Sequence, residues 1–150
     1  MSEISIRKAT REDLSSILDL VVELAVFEKE PDAVTASLED YQTAWDSKLI
    51  DCIVAIENEN NKVIGVALFY DTFSTWKGKM LYLEDFVVSE KFRSKGVGKM
   101  IYDELFREAA RRNSILVKWQ VLDWNEGAVR FYKREGATIE KEWWNVKKYL

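Results

Sequence analysis

Histidine is absent from this chain, cysteine and proline occur once each, and no apolar run approaches the ~20 residues of a membrane-spanning helix. Each absence excludes a chemistry. Without histidine there is no His-based nucleophile triad, and with a single cysteine there is no disulfide framework or Cys/His zinc site, so no metal is expected. Cys52 lies in the apolar run Asp51-Cys-Ile-Val-Ala-Ile56, where a small buried hydrophobe is the ordinary reading. The net charge of −4 argues against a nucleic-acid partner, which draws a basic surface. The opening Met-Ser-Glu-Ile carries no basic-then-apolar leader, so no membrane association and a cytoplasmic location are expected. Proton transfer is left to carboxylates, tyrosine, lysine or water.

What is present is an ordinary globular composition. The 150 residues are 47% hydrophobic and 32% charged, enough apolar material for one domain with its own core, taken as 1–150. The chain is organised around Leu81 to Lys99. Leu81 to Val88 is an apolar, aromatic and β-branched run of strand length. A basic turn with Lys91, Arg93 and Lys95 leads to Gly96-Val-Gly98. From there Val97, Ile101, Leu105 and Ala109 recur at helical spacing. A strand, a glycine turn and a helix start make a site for phosphate oxygens, where outward N–H groups and the helix dipole favour negative charge. The sequence is neither a P-loop nor a dinucleotide fingerprint, which needs a third glycine.

Along the rest of the chain, Ile4 and Ile6 mark a first strand. Thr10 and Asp13 form a near capping box ahead of a helix to about Phe27, and Ser37 caps a second helix over Leu38 to Lys48. Cys52–Glu57 and Lys62–Tyr70 are strands joined by a turn at Asn58–Asn61. The helix from Gly96 to Arg112 carries Asp103/Arg107 and Glu108/Arg112 at i,i+4. Ile115–Leu122 reads as a strand. Asn125 caps a helix stopped by Gly136, and Ile139–Tyr149 reads as a closing pair of strands. The order β, α, α, β, β, β, α, β, α, β, β predicts a three-layer α+β sheet protein.

Arg93-x-x-Gly96-x-Gly98 resembles the acetyl-coenzyme A signature of the GCN5-related N-acetyltransferase (GNAT) superfamily. Asn125-Glu126 with Phe131-Tyr132-Lys133-Arg134-x-Gly136 resembles its second signature, and the element order is that of its fold. Tyr82-Leu-Glu-Asp-Phe86, Trp76-x-Gly78-Lys79 and Trp124-Asn125-Glu126 are similar to the diamine (spermidine/spermine) branch. Ser74-Thr-Trp-Lys-Gly78 and Val121-Leu-Asp-Trp-Asn125 are closer to its thialysine Nε-acetyltransferase members. The resemblance implies a mixed, mostly antiparallel sheet of about seven strands flanked by four helices, acetyl-coenzyme A as co-substrate, a small-molecule amine as acceptor, and a homodimer. By the same resemblance, the backbone of Phe86, Val87 and Val88 pairs with the pantetheine arm, and Arg93, Ser94, Lys95, Gly96, Val97, Gly98 and Lys99 hold the pyrophosphate. Asn125, Ala128 and Tyr132 add cofactor contacts, and Glu28, Trp76, Glu84, Asp85 and Gln120 line the amine side. Ser74-Thr75 replaces the acidic-proline pair associated with spermidine binding, which turns the expectation from long polyamines toward thialysine-like amino acids or diamines.

Acyl transfer to an amine has demands of its own. Holding an alkylamine of pKa ~10.4 neutral at pH 7 costs roughly 4.6 kcal/mol, so a proton acceptor is needed. Glu84 and Asp85 interrupt an apolar strand, where burying charge is costly. Strict alternation sends them to opposite faces, Glu84 with Tyr82 and Phe86, Asp85 with Leu83 and Val87. Glu84 suits relay of the amine proton through water, and Asp85 suits an ammonium group. A tyrosine phenol stays protonated at neutral pH, so Tyr132 is the candidate donor to the leaving thiolate. The rival functions are acetylation of a protein or peptide amine and a coenzyme A-binding sensor without turnover.

Overall fold

In the computed structural model the described residues are 3–150; Met1 and Ser2, the start of the segment read as lacking a leader, lie outside them. The described chain forms two compact units, residues 3–119 and 120–150.

The first unit is a five-stranded sheet in the order β1-β2-β3-β4-β5: β1 Ile4–Lys8, β2 Asp51–Glu57, β3 Lys62–Ser74, β4 Gly78–Val88 and β5 Val117–Lys118. β1 to β4 pair antiparallel, and β5 joins β4 in parallel after the crossover helix α3, Val97–Arg111. Helices α1, Leu14–Phe27, and α2, Leu38–Asp46, cover the other face. Leu14, Ile17 and Leu20 of α1 pack on Cys52, Val54, Ile56, Val66 and Leu68. Val97, Ile101, Leu105 and Ala109 of α3 pack on Ile53, Ala67, Phe69, Leu81 and Leu83. This double covering explains why β2 and the middle of β3 are apolar on both faces rather than alternating.

Local chemistry sets the boundaries. Asp13 accepts from the Thr10 amide at 2.8 Å and from Arg7 at 2.7 Å, and Ser37 Oγ accepts from the Asp40 amide at 3.1 Å. The β2–β3 turn places Asn61 at φ 51°, while Glu57 accepts from the Asn60 amide at 2.8 Å. Gly65 carries no side chain because a Cβ there would stand 2.7 Å from Ile101 Cδ1, so β3 and α3 approach closely. Cys52 is fully buried and burial pushes its thiol up, which leaves it a hydrophobe and no nucleophile.

Three expectations need correction. β5 spans two residues rather than Ile115–Leu122. Its pairing stops at Tyr82, shortly before the register shift that interrupts β4, and such irregularities bend a strand out of an even ladder. Ile139–Tyr149 forms no strands, so the sheet has five strands among the described residues and not seven. A strand exists only through its ladder, and this charged segment finds none. On α3, Arg107 bonds Glu104 at 2.8 Å and Asp103 bonds Lys99 at 2.6 Å, because the i,i+3 partner and the preceding lysine compete successfully for them. Glu108/Arg112 pairs as expected at 2.8 Å.

The second unit holds α4, Glu126–Arg134. Asn125 Oδ1 caps it by accepting from the Ala128 amide at 3.3 Å, and Gly136 at φ 87° ends it. No helix among the described residues is long and apolar enough to cross a membrane.

Candidate active site

Between Leu83 and Asp85, β4 contains one residue more than β3 opposite: Leu68 faces Asp85, Phe69 faces Leu83, and Glu84 is the extra residue. This bulge reverses the alternation. Leu81 and Leu83 pack toward α3, and so do Phe86 and Val88, while Val87 turns to the α1 side. Asp85, opposite Leu68, therefore shares the α1 and α2 side with Val87 and not with Leu83. Glu84 and Asp85 do not point to opposite faces as alternation alone predicts. The extra residue lets neighbouring carboxylates converge.

They converge on phenols. The Tyr70 hydroxyl on β3 donates to Glu84 Oε2 at 3.4 Å, and the Tyr70 ring stacks on Tyr82 with centroids 5.5 Å apart. Burial raises Asp85 to about 6, and the charges of Glu84 and Glu28 add to the effect. Burial pushes Tyr41, on α2, up to about 12, with Asp85 and Glu84 contributing. Tyr70 is pushed up to about 12 by burial and then by Glu84, and Tyr82 is raised by the same two causes. Glu28, the residue that ends α1, is raised by burial. No lysine or arginine among the described residues forms an ion pair with Glu28, Glu84 or Asp85. The described residues also contain no group of three His, Cys, Asp or Glu side chains able to hold a metal ion. Two neighbouring carboxylates faced by phenols, with Glu28 acting on one of them and no cation paired to any of the three, suit a bound ammonium group.

Glu28, Glu84 and Asp85 are thus brought together, and Trp76 is not. It sits 81% exposed at the β3–β4 hairpin tip, where Ser74 Oγ accepts from the Trp76 and Lys77 amides at 3.3 and 3.1 Å. Tyr41, Tyr70 and Tyr82 were not singled out by sequence reasoning. Tyr41 shares an apolar helical stripe with Leu38 and Trp45 and reads as core. Tyr70 and Tyr82 are neighbours only through the β3–β4 register.

At the other end of β4, the turn into α3 has the shape of an anion site. Ser94 at φ 62° and Gly96 at φ 81° curl the backbone, and α3 opens without a side-chain cap. The first helical bond runs from the Met100 amide to Gly96 O at 3.1 Å. The amides of the first turn precede that ladder and face outward. A Cβ on Gly98 would meet Phe86 Cζ at 3.7 Å, ordinary contact, so only Gly96 is held to glycine by conformation. Lys95 lies over the Phe92 ring at 5.6 Å, and Lys99 bonds Asp103. Arg93 folds back, with Nε donating to Val88 O at 2.9 Å and the guanidinium over Phe27 at 5.3 Å. Beyond Tyr82, the outer edge of β4 through Phe86, Val87 and Val88 has no strand partner among the described residues.

In the second unit Tyr132 is buried within α4, and its carbonyl accepts from the Ala137 amide at 2.9 Å. Gln120 donates to Asn145 Oδ1.

Residues 15–137 match the model of the Acetyltransferase (GNAT) family. The chain belongs to the GNAT family. This N-acetyltransferase is 33% identical over 159 residues to thialysine N-epsilon-acetyltransferase of Bos taurus, covering 99% of this chain and 94% of that protein. It is 35% identical over 105 residues to L-ornithine N5-acetyltransferase of Arabidopsis thaliana, covering 69% of this chain and 42% of that protein. Among solved structures, it superposes with a TM-score of 0.81 on an aminoglycoside acetyltransferase from an uncultured soil metagenomic sample, crystallised with trehalose. That likeness spans 98% of this chain and 96% of the other at 18% identity, and it speaks for the GNAT fold alone.

Proposed function

We propose that this GNAT enzyme acetylates the primary amine of a small molecule, a thialysine-like amino acid or a diamine, by direct attack within a ternary complex with acetyl-coenzyme A. The observation that carries this reading is the pair Glu84 and Asp85 facing Tyr41, Tyr70 and Tyr82, with Glu28 acting on Asp85 and no cation paired to any of the three. It has the charge to hold an ammonium and too few spaced carboxylates for a long polycation. The thialysine enzyme similar over almost the whole chain supports the same acceptor class.

The turn into α3 fits the coenzyme, since a curled backbone with an uncapped helix start accepts phosphate oxygens. Acetyl-coenzyme A, when bound, supplies the thioester. In this reading Arg93, Ser94, Lys95, Gly96, Val97, Gly98 and Lys99 hold its pyrophosphate, with Asn125 and Ala128 adding contacts. The backbone of Phe86, Val87 and Val88 orients the pantetheine along the open edge of β4 and offers N–H groups to developing oxyanion charge. Asp85 holds the acceptor's ammonium, Glu84 takes its proton through water, and Tyr132 protonates the leaving thiolate. Glu28 and Gln120 complete the amine side in this reading, and Trp76, exposed at its hairpin tip, stands apart from it. Both units serve one catalytic domain, and the GNAT match at 15–137 spans both.

The test is coenzyme A release on thialysine, lysine, putrescine, spermidine and a lysine peptide, with Tyr132→Phe alongside. Turnover on thialysine or putrescine, reduced at least ~10-fold in the variant, is the expected result. Preference for the peptide overturns the acceptor assignment. Coenzyme binding with no amine turned over replaces the enzyme reading by the sensor.

A further inference from the structure

We propose that Tyr70 is the positioning residue that aims Glu84 at the acceptor amine, the two forming a functional pair across the β3–β4 ladder. The inference rests on the reading of Glu84 as proton acceptor and adds to it the group that sets that carboxylate's direction.

Glu84 is the extra residue of a bulge, so the ladder that orients every neighbouring side chain of β4 does not orient this one. An exposed glutamate has three rotatable bonds and no reason to hold one direction. Its described hydrogen-bond partner is the Tyr70 hydroxyl, 3.4 Å from Oε2. Tyr70 is itself fixed. Its ring stacks on Tyr82 at 24° between planes, and its Cα lies opposite that of Tyr82 in the register. The pairing locks one side chain to the strand and the strand's irregular residue to that side chain. The charged and titratable groups facing Glu84 are Asp85 and Tyr82 of β4, Tyr70 of β3 and Tyr41 of α2, with Glu28 at the end of α1 acting on Asp85. None is a cation, so the phenol is the group able to hold the carboxylate. Because Tyr70 is pushed up to about 12, it stays a donor across any working pH.

Two experiments separate this inference from the catalytic reading. In the free protein, without amine or coenzyme, alkaline titration of tyrosine absorbance follows the phenols, Tyr41 and Tyr70 being expected near 12. Glu84→Gln lowers the ionisation pH of Tyr41, Tyr70 and Tyr82, which all feel its charge, with the largest drop expected at Tyr70, so the drop shrinks in a Tyr70→Phe background. A drop equally large without Tyr70, or an unchanged titration, overturns the contact whatever Glu84 does in catalysis. In the assay, the acceptor is whichever panel amine turns over fastest. Tyr70→Phe, checked for folding by circular dichroism, loses about tenfold in kcat with little change in KM. The double variant is no slower than Glu84→Gln alone, since both changes break one device. Parental kcat in Tyr70→Phe, a change confined to KM, or losses that multiply in the double variant each overturn the proposal. Parental activity in Glu84→Gln overturns both this inference and the proton-acceptor role beneath it.

Discussion

Asp85 is held in a state that costs the fold something. Burial first, then Glu84 and Glu28, lifts it from 3.8 to about 6. A carboxyl whose folded pKa lies above its unfolded value destabilises the native state above that folded pKa, and the penalty fades as pH falls through about 6 toward 3.8. At pH 7.5 the charge therefore opposes folding by on the order of 1–3 kcal/mol. Asp85→Asn is expected to raise the urea midpoint at pH 7.5, to lose that advantage at pH 4, and to lower kcat/KM for the amine at both. Denaturation at the two pH values with parallel kinetics checks it; a variant less stable at pH 7.5 contradicts the assignment. The trade follows the general pattern in which functional sites carry locally unfavourable groups. At this scale the pair Glu84–Asp85 was legible, because charges inside an apolar strand stand out. Their common side was not, since one inserted residue reverses a period of two, and nothing in Leu81–Val88 announces the insertion.

At the scale of elements, α3 is tied to the sheet by charge as well as by its apolar stripe. Arg112 bonds Glu108 at 2.8 Å, reaches Asp71 at 3.3 Å and pairs with Asp51. Glu108 also accepts from Arg111 at 3.0 Å and from Lys8 at 3.4 Å. Although burial opposes it, these cations hold the Glu108 carboxyl down at about 2. A depressed carboxyl contributes stability that is complete above the unfolded value near 4.5 and is lost as pH falls toward 2. Glu108→Gln should cost on the order of 1–3 kcal/mol at pH 7, and the gap to the parent should narrow by pH 3. Equal unfolding midpoints at pH 7 would show that the network contributes nothing. Strands β1 to β4 and all four helices could be read from apolar period and caps, because each buries its own local pattern. Partner choice on α3 could not, since Asp103 and Arg107 each have a competing charge one turn away and side-chain geometry decides.

For the whole molecule the open matter is what covers the aromatic C-terminal stretch. Residues after Gly136 read as two strands in sequence yet form none, and Trp143, Trp144, Val146 and Tyr149 are 68%, 88%, 95% and 83% exposed. Alternation and β-branching report a capacity to pair, but the partner lies outside the segment and leaves no local trace. Residues of this kind seldom stay in water, which favours the homodimer expected from the branch. Each tryptophan removes up to roughly 150–250 Å² on burial, or about 4–6 kcal/mol at ~25 cal/mol per Å². Two tryptophans only about match the ~4–15 kcal/mol lost in association, so Val146 and Tyr149 have to share the surface. Light scattering on the eluting protein should then give about 35 kDa, twice the 17.5 kDa chain. Trp143→Lys with Trp144→Lys should return it to a single chain while the circular dichroism spectrum persists. A parent of one chain's mass at micromolar concentration would leave these side chains a role other than self-association.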